Sequence, residues 1–106
     1  MSVNLKEIAH NLQRELKAHR RPGITDENHS DLQALCVAEE AGELVGAYRR
    51  YTGKARRNGT LEELSNEVAD VLIVTACFAE VMDIDLDQAI EAKLKVIYSR
   101  GWRESA

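Results

Sequence analysis

The stretch TLEELSNEVADVLIVTACFAEVM, Thr60 to Met82, decides the fold. Its apolar residues Leu64, Val68, Val71, Leu72, Phe78 and Met82 return at helical intervals rather than at every second position, which is the signature of an α-helix with one face turned inward. Thr60 with Glu63 three residues on forms a capping box, in which each side chain satisfies a backbone N–H left over at the helix start. Upstream lies a basic, glycine-containing loop, TGKARRNG, and before it a second helical pattern expected from about Asp31 to Tyr51, with Ser30 and Gln33 as its capping box. Further back, Leu5, Ile8, Leu12 and Leu16 mark a first helix opened by Asn4 and Glu7 and stopped by about Arg20, because Pro22-Gly23 cannot continue it. Downstream, Asp85 with Gln88 opens a fourth helix that ends near Arg100, with Gly101 as the residue after its cap. Strand signals are absent. The reading is a single all-α domain over residues 1–106, a four-helix, bundle-like fold.

Charge and cysteine content narrow the function. A net charge of −4 gives no basic footprint for a nucleic-acid backbone. Cys36 and Cys77 are far apart and form neither a CxxC clip nor a disulfide framework, so a reducing cytoplasm is the expected setting. The N-terminal MSVNLKEIAH lacks the apolar core of a signal segment, and no run reaches the roughly 18 apolar residues of a membrane span.

Against that background, VAEEAGELVGAYRR, Val37 to Arg50, carries an anomaly. Glu39, Glu40 and Glu43 crowd one another, although like charges three or four apart weaken a helix by roughly 0.2–0.5 kcal/mol per pair. At about 100° per residue, Glu40 and Glu43 share a stripe with Gln33, Cys36 and Ala47. On the next helix Glu67 and Asp70 repeat the three-residue spacing, on a stripe that continues through Val74, Cys77 and Val81. Acids on a face that must be buried are costly unless partnered. The bland alternative is a pair of solvated faces. Two converging pairs instead suit a hard divalent cation, and the lack of histidine among them favours Mg2+ or Mn2+ over zinc or a dinuclear iron site. Glu7 and His10 offer one ExxH spacing without a second, so iron-bundle chemistry is not indicated.

Glu39-Glu40-Ala41-Gly42-Glu43, followed after 23 residues by Glu67-Val68-Ala69-Asp70, resembles the EExxE…ExxD signature of MazG-like nucleoside triphosphate pyrophosphohydrolases, in the all-α NTP pyrophosphatase superfamily. The likeness runs from about Leu32 to Arg100 and includes a final basic helix. It implies a MazG-type fold in which Glu40, Glu43, Glu67 and Asp70 bind the metal, Glu39 is the first acid of the motif, and Lys93 and Arg100 contact the phosphates. It also implies Mg2+-dependent cleavage between the α- and β-phosphates, releasing a monophosphate and pyrophosphate. Glu39 or Glu40 then orients or deprotonates the attacking water. Where relatives often carry Asn in KxxxNxxR, this chain has Ile97, which leaves a polar nucleotide contact, and the substrate, open. A phosphoribosyl-ATP pyrophosphatase-like enzyme and a non-catalytic helical module binding nucleotide, metal or a partner remain the alternatives.

Smaller expectations complete the reading. Arg49, Arg50, Lys54, Arg56 and Arg57 make the loop after the second helix basic, as a lid or as an exposed soluble loop. Tyr48, Tyr51 and Trp102 are candidates to stack on a base or to pack at a subunit contact. His29 is expected in an exposed loop, and both cysteines in the core. Ile73, Val74 and Val81 fall away from the main apolar arc of the third helix, which points to a homodimer or homotetramer.

Overall fold

The computed structural model describes residues 2–100, which form four helices and, among the described residues, no strand. Helix α1 is Leu5–Ala18, α2 is Asp26–Tyr51, α3 is Leu61–Val81 and α4 is Leu86–Arg100. Gly101 and Trp102 lie outside the described residues.

Local chemistry accounts for most boundaries. Asn4 accepts from the Glu7 N–H to start α1, and Thr60 and Glu63 form the reciprocal box that starts α3. The Gln88 N–H donates to Asp85 Oδ1 at 3.2 Å at the start of α4. The start of α2 differs from the sequence expectation. It begins at Asp26, because Thr25 and Asn28 form their own reciprocal cap and Asn28 Nδ2 also donates to the Gly23 carbonyl at 3.1 Å. Ser30 and Gln33 therefore fall inside the helix, and His29 with them. Its ring Nε2 meets Gln13 Oε1 at 2.7 Å in a half-buried setting, so it is not an exposed loop histidine.

Both long helices end in the same way. At the end of α2 the Lys54 N–H reaches the Arg49 carbonyl and the Gly53 N–H the Arg50 carbonyl, with Gly53 at φ 74°. At the end of α3 the Ile84 and Asp83 N–H groups reach the Ala79 and Glu80 carbonyls, with Asp83 at φ 55°. This crossed pair of bonds closes a helix where one residue turns left-handed. The Gly59 N–H then returns to the Arg50 carbonyl at 3.1 Å, folding residues 52–60 back so that α3 runs antiparallel to α2.

The α2–α3 pair is the main packing unit, and α1 lies across α3. Ala9 of α1 meets Ala76 and Cys77 of α3, with Leu5, Ile73 and Leu86 packed around them. Ion pairs of Lys6 with Asp85 at 3.1 Å and of His10 with Glu80 at 2.7 Å tie α1 to the end of α3 and the following turn. The buried apolar residues are small: Ala9, Ala47, Ala76, Cys77 and Ala79. Small side chains bring helix axes close but remove little apolar area from water.

The docking of α1 shifts the covered face of α3 part of the way round: Leu64, Val71 and Phe78 of the expected inner arc are half-buried as expected. Ile73, Val74 and Val81 are half-buried, whereas Val68, Leu72 and Met82 of the expected inner arc are exposed. Helix α4 stands apart: it meets α3 sparsely, and only Leu86 and Ile97 of its residues are even half-buried. Its Ile90, Leu94, Val96 and Tyr98 are exposed. The radius of gyration, 16.6 Å, exceeds the about 13 Å of a compact domain of 100 residues. No helix of the described residues is long and apolar enough to cross a membrane.

Candidate functional site

Antiparallel pairing sets the register of the site. With the chain folding back at Arg50 and Gly59, the middle of α2 faces the first half of α3. Glu40 of α2 meets Glu67 and Asp70 of α3, and the three offer carboxylate oxygens that lie within 4.8 Å of one another. Glu39, Glu40 and Glu43 satisfy the same limit along α2. Glu40 is common to both groups and so is the centre of the arrangement. All five acids singled out from sequence are therefore brought together.

Their environments are unequal. Glu40 and Glu67 are half-buried, while Glu39, Glu43 and Asp70 are exposed. Glu40 Oε2 and Glu67 Oε2 are shut off from solvent without a hydrogen-bond partner. Burial, and then the neighbouring charges of Glu43, Asp70 and Glu67, raise the Glu40 carboxyl above its usual range. Burial, Glu43 and Asp70 do the same to Glu67, with the Arg50 charge working in the opposite sense. Buried acceptors are almost always partnered in native proteins. Two solvent-free oxygens with no donor, in a set made only of carboxylates, match what a hard cation requires. The residues present thus fit a divalent ion of the Mg2+ type.

Arg50 is the cationic neighbour of the cluster, although the sequence alone places it with the basic loop. It belongs to α2, seven residues after Glu43, on the stripe that carries Cys36, Glu40, Glu43 and Ala47. Extending that stripe by one more turn would have found it. The rest of the basic run behaves as surface: Lys54 lies over the Tyr48 ring at 5.6 Å, Arg49 donates to the Lys54 carbonyl, and Arg56 and Arg57 are exposed.

Lys93 and Arg100 sit on α4, exposed, and neither forms an ion pair with an acid of the cluster. Nor does either figure among the charges acting on Glu40 or Glu67. Within one chain no direct ion pair links either of them to the acids. Of the cysteines, Cys77 is buried and Cys36 half-buried, both as free thiols. A groove of about 460 Å³ lies elsewhere: it runs between α1 and the start of α2 and is lined by His10, Gln13, Arg14, Lys17, His29 and Glu80 among others. None of the five acids lines it.

No curated protein and no solved structure matches the chain. The family model of the MazG nucleotide pyrophosphohydrolase domain matches residues 28–101, from the first turn of α2 to just beyond α4. That span contains every acid of the cluster together with Lys93 and Arg100. With its acids in the register described above, the chain belongs to the MazG nucleotide pyrophosphohydrolase family.

Proposed function

We propose that this protein hydrolyses a nucleoside or deoxynucleoside triphosphate between the α- and β-phosphates, yielding the monophosphate and pyrophosphate. The observation that carries the reading is the meeting of Glu40, Glu67 and Asp70 around two solvent-free, unpartnered carboxylate oxygens. Glu40, Glu43, Glu67 and Asp70 hold Mg2+, with Mn2+ as a substitute. When bound, such an ion offsets the charge of the phosphates and lowers the pKa of a nearby water.

The reaction itself is a displacement at the α-phosphorus. A water oxygen bonds to that phosphorus, the bond to the oxygen bridging the β-phosphate breaks, and pyrophosphate leaves. The proton of the water passes to Glu39 or Glu40. Holding the groups in line supplies much of the rate in phosphoryl-type transfer, and helices α2 and α3, fixed by caps at both ends, are suited to that task. Removal of non-standard or excess nucleotides in the cytoplasm is the role we assign, and the two free thiols fit a reducing compartment.

The working unit in this reading is a homodimer or homotetramer. Exposed Leu72 on α3, and Ile90, Leu94, Val96 and Tyr98 on α4, supply apolar surface that a second copy would cover. Lys93 and Arg100 then approach the phosphates of a site on another copy. The decisive experiment is pyrophosphate release from a panel of NTPs and dNTPs with Mg2+, for the wild type and Glu40→Gln. Turnover by the wild type and its loss in Glu40→Gln are expected. Release of orthophosphate alone, or full activity in the variant, would refute the proposal.

A further inference from the structure

The Arg50 side chain folds back along α2 towards the acids. Its Nη1 lies so close to position 46 that a Cβ added to Gly46 would stand 3.3 Å from it. Long side chains on helices lean towards the N-terminus, and here that lean carries a guanidinium over the turn that begins at Glu43. Gly46 leaves the path open. The backbone of Arg50 is held as firmly: its carbonyl accepts from both Gly53 and Gly59, and a Cβ at Gly59 would meet Arg50 Cβ at 2.9 Å.

The guanidinium held in this way is unspent. Arg50 Nε is shut off from solvent and has no hydrogen-bond partner. Arg50 forms no ion pair with any described acid, although its charge is felt at Glu67. A partly buried guanidinium beside a cluster of carboxylates would ordinarily be paired with one of them. Its planar fork matches the oxygens of a phosphate better than a lysine does.

We propose that Arg50 is a substrate-binding residue that grips the pyrophosphate portion of the nucleotide, next to the acids of its own chain. This rests on the enzyme reading above. If the α-phosphate is at the carboxylates, position 46 lies about 4.5 Å beyond Glu43 and about 9 Å beyond Glu40 along the helix axis, a span suited to the phosphates beyond it. The charge left on the departing pyrophosphate is then met by a donor already in place, as in other sites where fixed donors face developing charge. Lys93 and Arg100 from α4 would complete the grip, whereas Arg50 supplies it within one chain.

The test is calorimetric titration of Mn2+ alone, and then of inorganic pyrophosphate in the presence of Mg2+, into wild type and Arg50→Met. Loss of a charge-assisted fork should weaken pyrophosphate binding about tenfold or more. Mn2+ affinity should be kept or improved, since a repelling charge is gone. Arg50→Lys is the second variant should methionine unsettle the fold, with a loss of about threefold or more expected from the missing fork. Pyrophosphate binding equal to wild type in these variants overturns the assignment of Arg50 and leaves the enzyme reading standing. A wild type that takes up neither Mn2+ nor pyrophosphate overturns both.

Discussion

Replacing Gly59 with alanine tests how the loop fixes the register of the two acid-bearing helices. The new Cβ would stand 2.9 Å from Arg50 Cβ and 3.6 Å from the Arg50 carbonyl carbon and the Tyr51 nitrogen. Apolar carbons settle at about 3.5–4.0 Å, so the loop must retreat by roughly 0.6 Å or more. Such a retreat stretches the 3.1 Å bond from the Gly59 N–H to the Arg50 carbonyl beyond useful hydrogen-bond range. Overpacking of this kind costs about 1–3 kcal/mol, and the lost bond about 0.5–1.5 kcal/mol. The stiffer unfolded chain returns about 0.4–1 kcal/mol. The net expectation is a destabilisation of about 1–3 kcal/mol, read as a lower urea midpoint at unchanged slope. Because Gly59 leads directly into the Thr60 cap of α3, pyrophosphate release should fall with it. Gly53→Ala is the control, since Gly53 has nothing within 4 Å but sits at φ 74°; it should lose stability through backbone strain alone. A Gly59→Ala variant as stable as wild type would refute the claim that this contact holds the loop.

Three further outcomes follow from the same structure. Mg2+ should raise the melting temperature of the wild type but not of Glu67→Gln; at a hundredfold excess over Kd the linkage is about 2.7 kcal/mol, or roughly 10–20 °C for a domain of this size. Gln13 accepts from His29 and donates to Gln33, so Gln13→Leu should cost about 1–3 kcal/mol by chemical denaturation without touching metal affinity. The Arg20 guanidinium holds Asp26 below the usual carboxylate range, and the Gln88 N–H with Lys6 does so for Asp85. Carboxyls lowered in the folded state add stability that is complete above their unfolded values and lost as pH falls through the folded ones. Melts between pH 5 and about pH 2 should therefore show a decline that Asp85→Asn makes shallower.

Features decided within a few residues were legible in the sequence. The Thr60–Glu63 box, the Asp85 cap and the i, i+3 acid pairs depend only on spacing, and the structure reproduces each. The early start of α2 was hidden because Thr25-x-x-Asn28 and Ser30-x-x-Gln33 are both plausible starts, and the interactions of Asn28 with Gly23 and of Asp26 with Arg20 favour the earlier one. The inner face of α3 is only half legible, with Leu64, Val71 and Phe78 covered and Val68, Leu72 and Met82 not, for a different reason. Periodicity gives an arc, but α1 docking at Ala76 and Cys77 selects which side of it is covered. Within the site, the acids could be named because their types and intervals are unusual. Arg50 stands apart from Arg49 only once the stripe of Glu43 and Ala47 is carried one turn further along α2, which takes it out of the basic loop.

The isolation of α4 has a consequence for how such a protein behaves on dilution. A 15-residue helix is near the lower limit at which helices persist in water without tertiary support, and of this one only Leu86 and Ile97 are even half-buried. If neighbouring copies supply the missing support, then folding of the segment, delivery of its cations and turnover all become functions of protein concentration. Specific activity and α-helical ellipticity should then drop together as the solution is thinned, with a midpoint that marks the dissociation of the assembly.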